Sequence, residues 1–344
     1  MAEQSPSIID VAARAGVSVA TASRVLSRSS YPVSAATRQK VLSAATELNY
    51  TPNSLARSLR VRRSSLIAVM VGDNTDPYFA EIARGVEEIA NEYGYLTIIC
   101  NAERDPRKEL HYLRSLRDYR IDGVIFAGSG LNIPQHSEQL DEFAQQMQRR
   151  GAGIITLSQH TLRVPSIQAD NFGGARQMTA RLLELGHRRI AFVAGPPDLL
   201  VANARLQGYM SALVEAGCAI DPTLIIPGNF TRQGGEQAAS RIAHLPPEQR
   251  PTAIFAANDE TAFGVLRGLA RQGWRVPADC SVCGFGDLPV AELIVPALTT
   301  VHIPLRQLGR TGASHLLALL QKKQIPTLEV LPTTIVERET TASF

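Results

Sequence analysis

The chain has 344 residues, 44% hydrophobic and 19% charged, an ordinary globular composition with room for two or three domains. No apolar run reaches the roughly 18 residues of a membrane span, and residues 1–10 lack an apolar signal core, so a cytoplasmic protein with no membrane partner is expected. The net charge of +3 is uneven: residues 1–63 hold nine basic residues (Arg14, Arg24, Arg28, Arg38, Lys40, Arg57, Arg60, Arg62 and Arg63) against Glu3, Asp10 and Glu47, a basic head on a mildly acidic body, as in a polyanion binder.

The first fifty residues carry only helical signals. In 8–26, Val11, Ala12 and Ala15 form one apolar face, Gly16 makes a tight turn, and Ser18 is placed to cap a second helix whose inner face is Ala22 and Val25. A third helix is expected over 35–48. Two short helices joined through glycine, with small residues at their crossing, form a helix-turn-helix. Its second helix enters the major groove with its N-terminal residues on base edges. Arg24 is then placed to pair bidentately with guanine, and Val19 and Ala20 to meet thymine methyls. Thr21, Ser23, Thr37 and Arg38 are assigned to phosphates, which position without specifying.

From residue 66 short apolar runs alternate with amphipathic stretches. Strands are expected at 66–71, 96–100, 124–126 and 154–157, and helices at 77–93, 106–119 and 137–150. A second round places strands at 190–193, 224–226, 253–255 and 281–283, and helices at 171–185, 199–215, 232–243 and 259–272. Gly186 and Gly217 sit where helices should stop. The alternation implies right-handed βαβ units on parallel sheets, in two halves of similar size. A strand at 298–301 and a helix at 305–320 are expected to return the chain to the first half. Cys280 and Cys283 form a CxxC within a strand pattern. Residues three apart on a strand face opposite ways, so these read as small core residues rather than a redox or metal pair.

The run DVAARAGVSVATASRVLS, followed by VSAATRQKVLSAATELNYTPNSLARSLR, resembles the head of the LacI/GalR family of bacterial repressors, and the resemblance extends over the whole chain. It implies an α+α/β fold: a three-helix helix-turn-helix head over 1–50, a hinge over 51–64, and a two-lobed periplasmic-binding-protein-like core over 65–344. Lobe one would span about 65–165 and 297–325, and lobe two about 166–296 and 326–344. The resemblance adds Ser18, Tyr50, Asn53, Ala56, Arg57 and Leu59 to the DNA-binding set, with Leu59 matching a leucine that wedges into the minor groove. One departure is the loop at Tyr31-Pro32, a residue longer than in some relatives.

A cleft between α/β lobes is a natural ligand site. By resemblance, the loop Gly72-Asp73-Asn74-Thr75-Asp76-Pro77-Tyr78-Phe79 touches an effector through Asp73, Tyr78 and Phe79. Ser129 and Ser158 follow two lobe-one strands. Arg205 matches an arginine that binds ligand hydroxyls or carboxylates, Phe230 an aromatic that stacks on the ligand, Asn258 and Asp259 a polar pair, and Asp287 one acid of a loop that often carries two. Gly286 and Ser158 stand where many relatives have acids. With Arg205 kept and His160 nearby, charge complementarity implies a less negative pocket and an anionic ligand.

The expected function is a ligand-responsive repressor of carbohydrate or sugar-acid genes, a homodimer released from a palindromic operator in double-stranded DNA by a sugar or sugar-acid effector. No cofactor, metal site or enzymatic activity is expected. Gly128-Ser129-Gly130 lacks the third glycine of a dinucleotide loop, and Pro134 interrupts the helix such a loop needs. An activator or corepressor-dependent regulator of the same fold, and a sugar-binding transport protein, are the alternatives; the latter has no use for residues 1–63. Without C-terminal heptads, a coiled-coil tetramer is not expected.

Overall fold

The computed structural model describes residues 6–26, 31–50 and 64–344. Asn53, Ala56, Arg57, Leu59 and almost all of the expected hinge lie outside them. The chain divides into two compact units at Ser64 and Ser65.

The head is three helices: α1 (Ile8–Ala15), α2 (Val19–Leu26) and α3 (Ala35–Glu47). Ser7 and Asp10 form a reciprocal capping box on α1, and Gly16 ends it in the left-handed conformation at φ 65°. Ser18 Oγ accepts the Thr21 amide at 3.2 Å, and Ser34 Oγ accepts the Thr37 amide at 3.2 Å. Val11, Ala12, Ala22, Val25, Val41, Ala44 and Ala45 form its core. Such small side chains let short helices cross closely.

The core unit holds two six-stranded sheets. Sheet one contains β1 (Leu66–Val71), β2 (Leu96–Asn101), β3 (Gly123–Phe126), β4 (Gly153–Thr156), β5 (Ser166–Ala169) and β11 (Leu328–Leu331), in the order β11-β5-β4-β3-β1-β2, all parallel. Sheet two contains β6 (Ile190–Val193), β7 (Ile225–Ile226), β8 (Ala253–Ala256), β9 (Ser281–Gly286), β10 (Thr299–His302) and β12 (Thr334–Val336), in the order β12-β10-β9-β8-β6-β7. It is parallel except for β12 against β10. The core helices are α4 (Pro77–Glu92), α5 (Pro106–Asp118), α6 (Pro134–Arg149), α7 (Asn171–Glu184), α8 (Leu200–Glu215), α9 (Arg232–Ala243), α10 (Asp259–Arg271) and α11 (Leu305–Leu320).

Both faces of each sheet are covered, so central strands bury alternate residues in different clusters. Ile67, Val69 and Val71 of β1 join one, and Ala68 and Met70 another. Cys280 and Cys283 divide the same way; burial pushes the Cys280 thiol up to about 12 and Cys283 well above its ordinary value. Among the described residues no cluster suits a metal ion, and no helix is long and apolar enough to cross a membrane.

The division into lobes differs from the expected one. β5 and β11, placed in lobe two, belong to sheet one, and β10, placed in lobe one, belongs to sheet two. The chain therefore changes lobe after β5, after β10 and after β11. α11 packs on α4 and on β3, β4 and β5 of sheet one, as expected. Gly309 and Gly85 make that helix crossing possible: a Cβ on Gly309 would lie 2.1 Å from the Ile82 carbonyl oxygen, and one on Gly85 2.1 Å from that of Arg306. Pro134 opens α6 at its first turn rather than interrupting it.

Candidate functional site

On the head, Ser18, Val19, Ala20 and Arg24 are exposed and Thr21, Thr37, Arg38 and Tyr50 partly so. The Arg24 guanidinium lies 4.0 Å from the centroid of the Tyr31 ring, which orients a long side chain at little cost in entropy. Val19 is 43% exposed, uncommon for a β-branched apolar residue unless its face meets a partner. Ser23 is a correction: assigned to a phosphate, it is buried with Ala22 and Val25. α2 thus presents two apolar residues, an arginine and the capped hydroxyls of its first turn.

In the core, residues of both lobes enclose a cavity of about 900 Å³, counting its open mouth, within the range of small-molecule sites. Tyr78, Phe79, Ser129, Ser158, Arg205, Phe230, Asn258 and Asp259 line it, as expected, and so does Gly286. Arg205 is 4% exposed. Its Nε donates to Asn171 Oδ1 at 2.8 Å and its Nη1 to the Ala257 carbonyl at 2.6 Å. The guanidinium sits 4.0 Å from the Phe285 ring centroid and 5.8 Å from that of Phe230. Burial draws its pKa down to about 10, and among the described residues it makes no ion pair. Phe230 holds a left-handed backbone, φ 64°, and its ring occupies the place a side chain on Gly195 would need, 2.3 Å from that Cβ.

Several polar lining groups are committed to the scaffold. Asn258 Oδ1 accepts the Thr261 amide at 3.0 Å, and its Nδ2 donates to the Phe230 carbonyl at 3.2 Å. Asp259 accepts from Thr300 Oγ1 at 2.5 Å and from the Leu288 amide at 2.8 Å. Burial raises its carboxyl to about 6, since charge is costly away from water.

Two expected residues do not line the cavity. Asp73 Oδ1 turns back to the Thr75 amide and hydroxyl, at 2.9 and 2.7 Å, bonds that lower its pKa. Asp287 is held by Arg338 at 2.7 Å and His302 at 2.9 Å. The expectation of a less negative pocket is also corrected. Asp76, Asp105 and Glu109, none of them anticipated, line it with Asp259, against Arg104 and Arg205. His160 adds no charge at neutral pH, because burial lowers it to about 4. The missed group follows β2, whose carboxyl end is a regular place for ligand loops.

One wall of the cavity bridges the lobes. The Asn132 amide donates to the Asp198 carbonyl at 2.7 Å, and the Leu200 amide to that of Gly130 at 3.2 Å. The Val201 amide donates to Ser129 Oγ at 3.2 Å, and Leu131 forms an antiparallel bridge with Leu199.

The sequence profile of the bacterial regulatory proteins of the lacI family matches residues 7–53, and that of the periplasmic binding protein-like domain matches residues 179–341. The ribose operon repressor of Halalkalibacterium halodurans is 35% identical, over 97% of this chain and 96% of that protein. The structure of the lac repressor dimer bound to operator and the anti-inducer ONPF is similar at a TM-score of 0.85 and 29% identity, covering 98% of this chain and 100% of that one. A complex of the transcriptional regulator CelR with cellobiose is similar at a TM-score of 0.71 and 34% identity, covering 97% and 99%. With a capped helix-turn-helix at one end and a two-lobed binding core at the other, the chain belongs to the lacI family of bacterial regulatory proteins and is a DNA-binding transcriptional repressor, not an enzyme.

Proposed function

We propose that this chain represses genes of carbohydrate or sugar-acid metabolism, binding a palindromic operator as a homodimer and leaving it when a sugar acid or similar anionic sugar fills the interlobe cavity. The observation that carries the reading is Arg205, a buried cation in the cavity wall whose contacts are neutral. A buried charge without a counter-ion is costly, and an anionic ligand would supply one through a charge-assisted fork. The cavity's carboxylates are answered locally: Asp76 by Arg104, Glu109 by His136, and Asp259 by Thr300 and Leu288. Phe230 and Phe285 offer ring faces against which a sugar's C–H surface packs. That CelR is described with cellobiose, and a relative as a ribose operon repressor, supports the sugar class.

Dimerisation is supported by exposed apolar residues on both lobes. Leu96, Ile98 and Ile99 lie on the edge strand β2, and Leu293 and Val295 on lobe two. Such surface is unusual on a monomer, and the related lac repressor is described as a dimer on its operator.

Calorimetry against a panel of sugars and sugar acids, followed by anisotropy on an operator selected from random duplexes, tests the reading. A sugar acid is expected to bind wild type, to fail with Arg205→Ala, and to weaken operator binding by about 1–3 kcal/mol, a usual coupling between linked sites. Tight binding of a neutral sugar with the acids silent would sink the charge argument. An acid that binds without changing operator affinity would sink the switch.

A further inference from the structure

The loop after β2 adds charged residues to the cavity wall: Arg104, Asp105 and, one turn into α5, Glu109. Glu103 and Arg104 both take the left-handed backbone conformation, φ 54° and 55°, without a glycine between them. Adjacent residues in that region are held there by their surroundings, and such strain collects at ligand sites. The Arg104 stem crosses Gly72 closely; a Cβ there would meet Arg104 Cγ at 3.3 Å and the Phe79 ring at 3.1 Å. Its guanidinium reaches only one carboxylate among the described residues, Asp76 at 3.9 Å, too long for a hydrogen bond. Its donor fork is therefore largely unused. Glu109 receives His136 on Oε2 at 2.6 Å, leaving Oε1 as an acceptor. Asp76 accepts the Tyr78 amide on Oδ1.

Here one guanidinium stands among three carboxylates, so an anionic group would be repelled. A hydroxyl suits both kinds of neighbour, because it donates to a carboxylate while its oxygen accepts from an arginine. We propose that Arg104, with Asp76 and Glu109, forms a lobe-one subsite that reads neutral sugar hydroxyls on a part of the effector other than that held by Arg205. The proposal rests on the sugar-type effector reading. It narrows the ligand to a polyhydroxylated acid rather than a simple organic acid or an inorganic anion.

The test uses the full chain, with gluconate, glucuronate, galacturonate, glucose, galactose, ribose, cellobiose and monodeoxy analogues of whichever binds. Arg104→Ala and Glu109→Gln are compared with wild type by calorimetry, and melting temperatures report folding. Glu109→Gln keeps the shape and the bond to His136, so it remains informative if Arg104→Ala does not fold. Each variant is expected to weaken the parent ligand by roughly 10- to 100-fold, the scale of hydrogen bonds to charged groups. One deoxy analogue should bind wild type and variants alike, which identifies the hydroxyl that is read. Unchanged affinity and unchanged ranking of analogues in both variants would overturn the subsite; loss at Arg205→Ala alone would leave the effector reading standing. An equal loss for parent and every analogue would also overturn it, as damage without recognition. If no sugar or sugar acid binds wild type, the effector reading itself fails, and the subsite with it.

Discussion

Arg24 and Arg205 both lay a guanidinium 4.0 Å from an aromatic centroid, yet exposure divides their roles. Arg24 lies on the open face of α2, where a base edge can reach it. Replacing it with alanine is expected to cost about 1–3 kcal/mol at one base pair per half-site. Arg38→Ala is expected to weaken all sequences alike and to flatten the salt dependence. Binding measured on a panel of single-base operator variants at several salt concentrations separates the two. Asp259 gives a pH prediction. Its carboxyl, raised to about 6 from an ordinary 3.8, ionises later in the folded chain than in the unfolded one. Stability should therefore fall as pH rises from about 4 to 6, by roughly 3 kcal/mol if the shift is fully expressed. Urea unfolding of Asp259→Asn across that range should show a flatter dependence; an identical slope would mean that Asp259 is not the group responsible. Arg205 and Phe230 were legible in the sequence because their neighbours, NARLQGY and GNF, carried the resemblance. Asp73 and Asp287 were misread because a loop acid's direction depends on partners the local sequence does not name, the Thr75 hydroxyl in one case and Arg338 in the other.

Helices were the most legible elements, since most carry an N-terminal polar cap or proline and an apolar stripe. Strands of four or more apolar residues were equally plain. β5, β11 and β12 were missed: each has four residues or fewer, and β5 (SIQA) and β11 (LEVL) alternate apolar with polar over a span too short to stand out. β10 was seen but given to the wrong lobe. Strand patterning records burial, and both sheets are buried on both faces, so no local signal says which sheet a strand joins. The crossing of α4 and α11 supplies a test at this scale. Gly309→Ala would place a methyl against the Ile82 carbonyl and push the helices apart. A loss of about 1–3 kcal/mol is expected, as for other overpacked sites. Chemical denaturation checks it, and an unaffected midpoint would show that the crossing yields more readily than its geometry implies.

The two lobes are joined by three chain crossings and by the bonded strap between residues 129–132 and 198–201. A ligand that closes or opens the cleft therefore moves the lobes as bodies, and the exposed residues on β2 move with lobe one. Ile99→Asp is expected to shift the protein toward monomer in sedimentation and to reduce operator affinity while leaving ligand binding in place. A variant that remains dimeric would remove β2 from the interface. The three crossings also set an order of events on the ribosome. The head has its own small core and is complete once Tyr50 has emerged. Sheet one lacks its edge strand until residues 328–331 are made, and lobe two is fastened by the last residues, with Thr340 bonded to Val282 and Thr299, and Phe344 to Leu185. At about 5–20 residues per second, a nascent chain carries a finished DNA reader on an unfinished sensor for on the order of ten seconds or more. During that interval it has no completed dimer surface and meets DNA through one half-site, without the gain of paired binding. Repression therefore begins only when the sensor that can relieve it is already built.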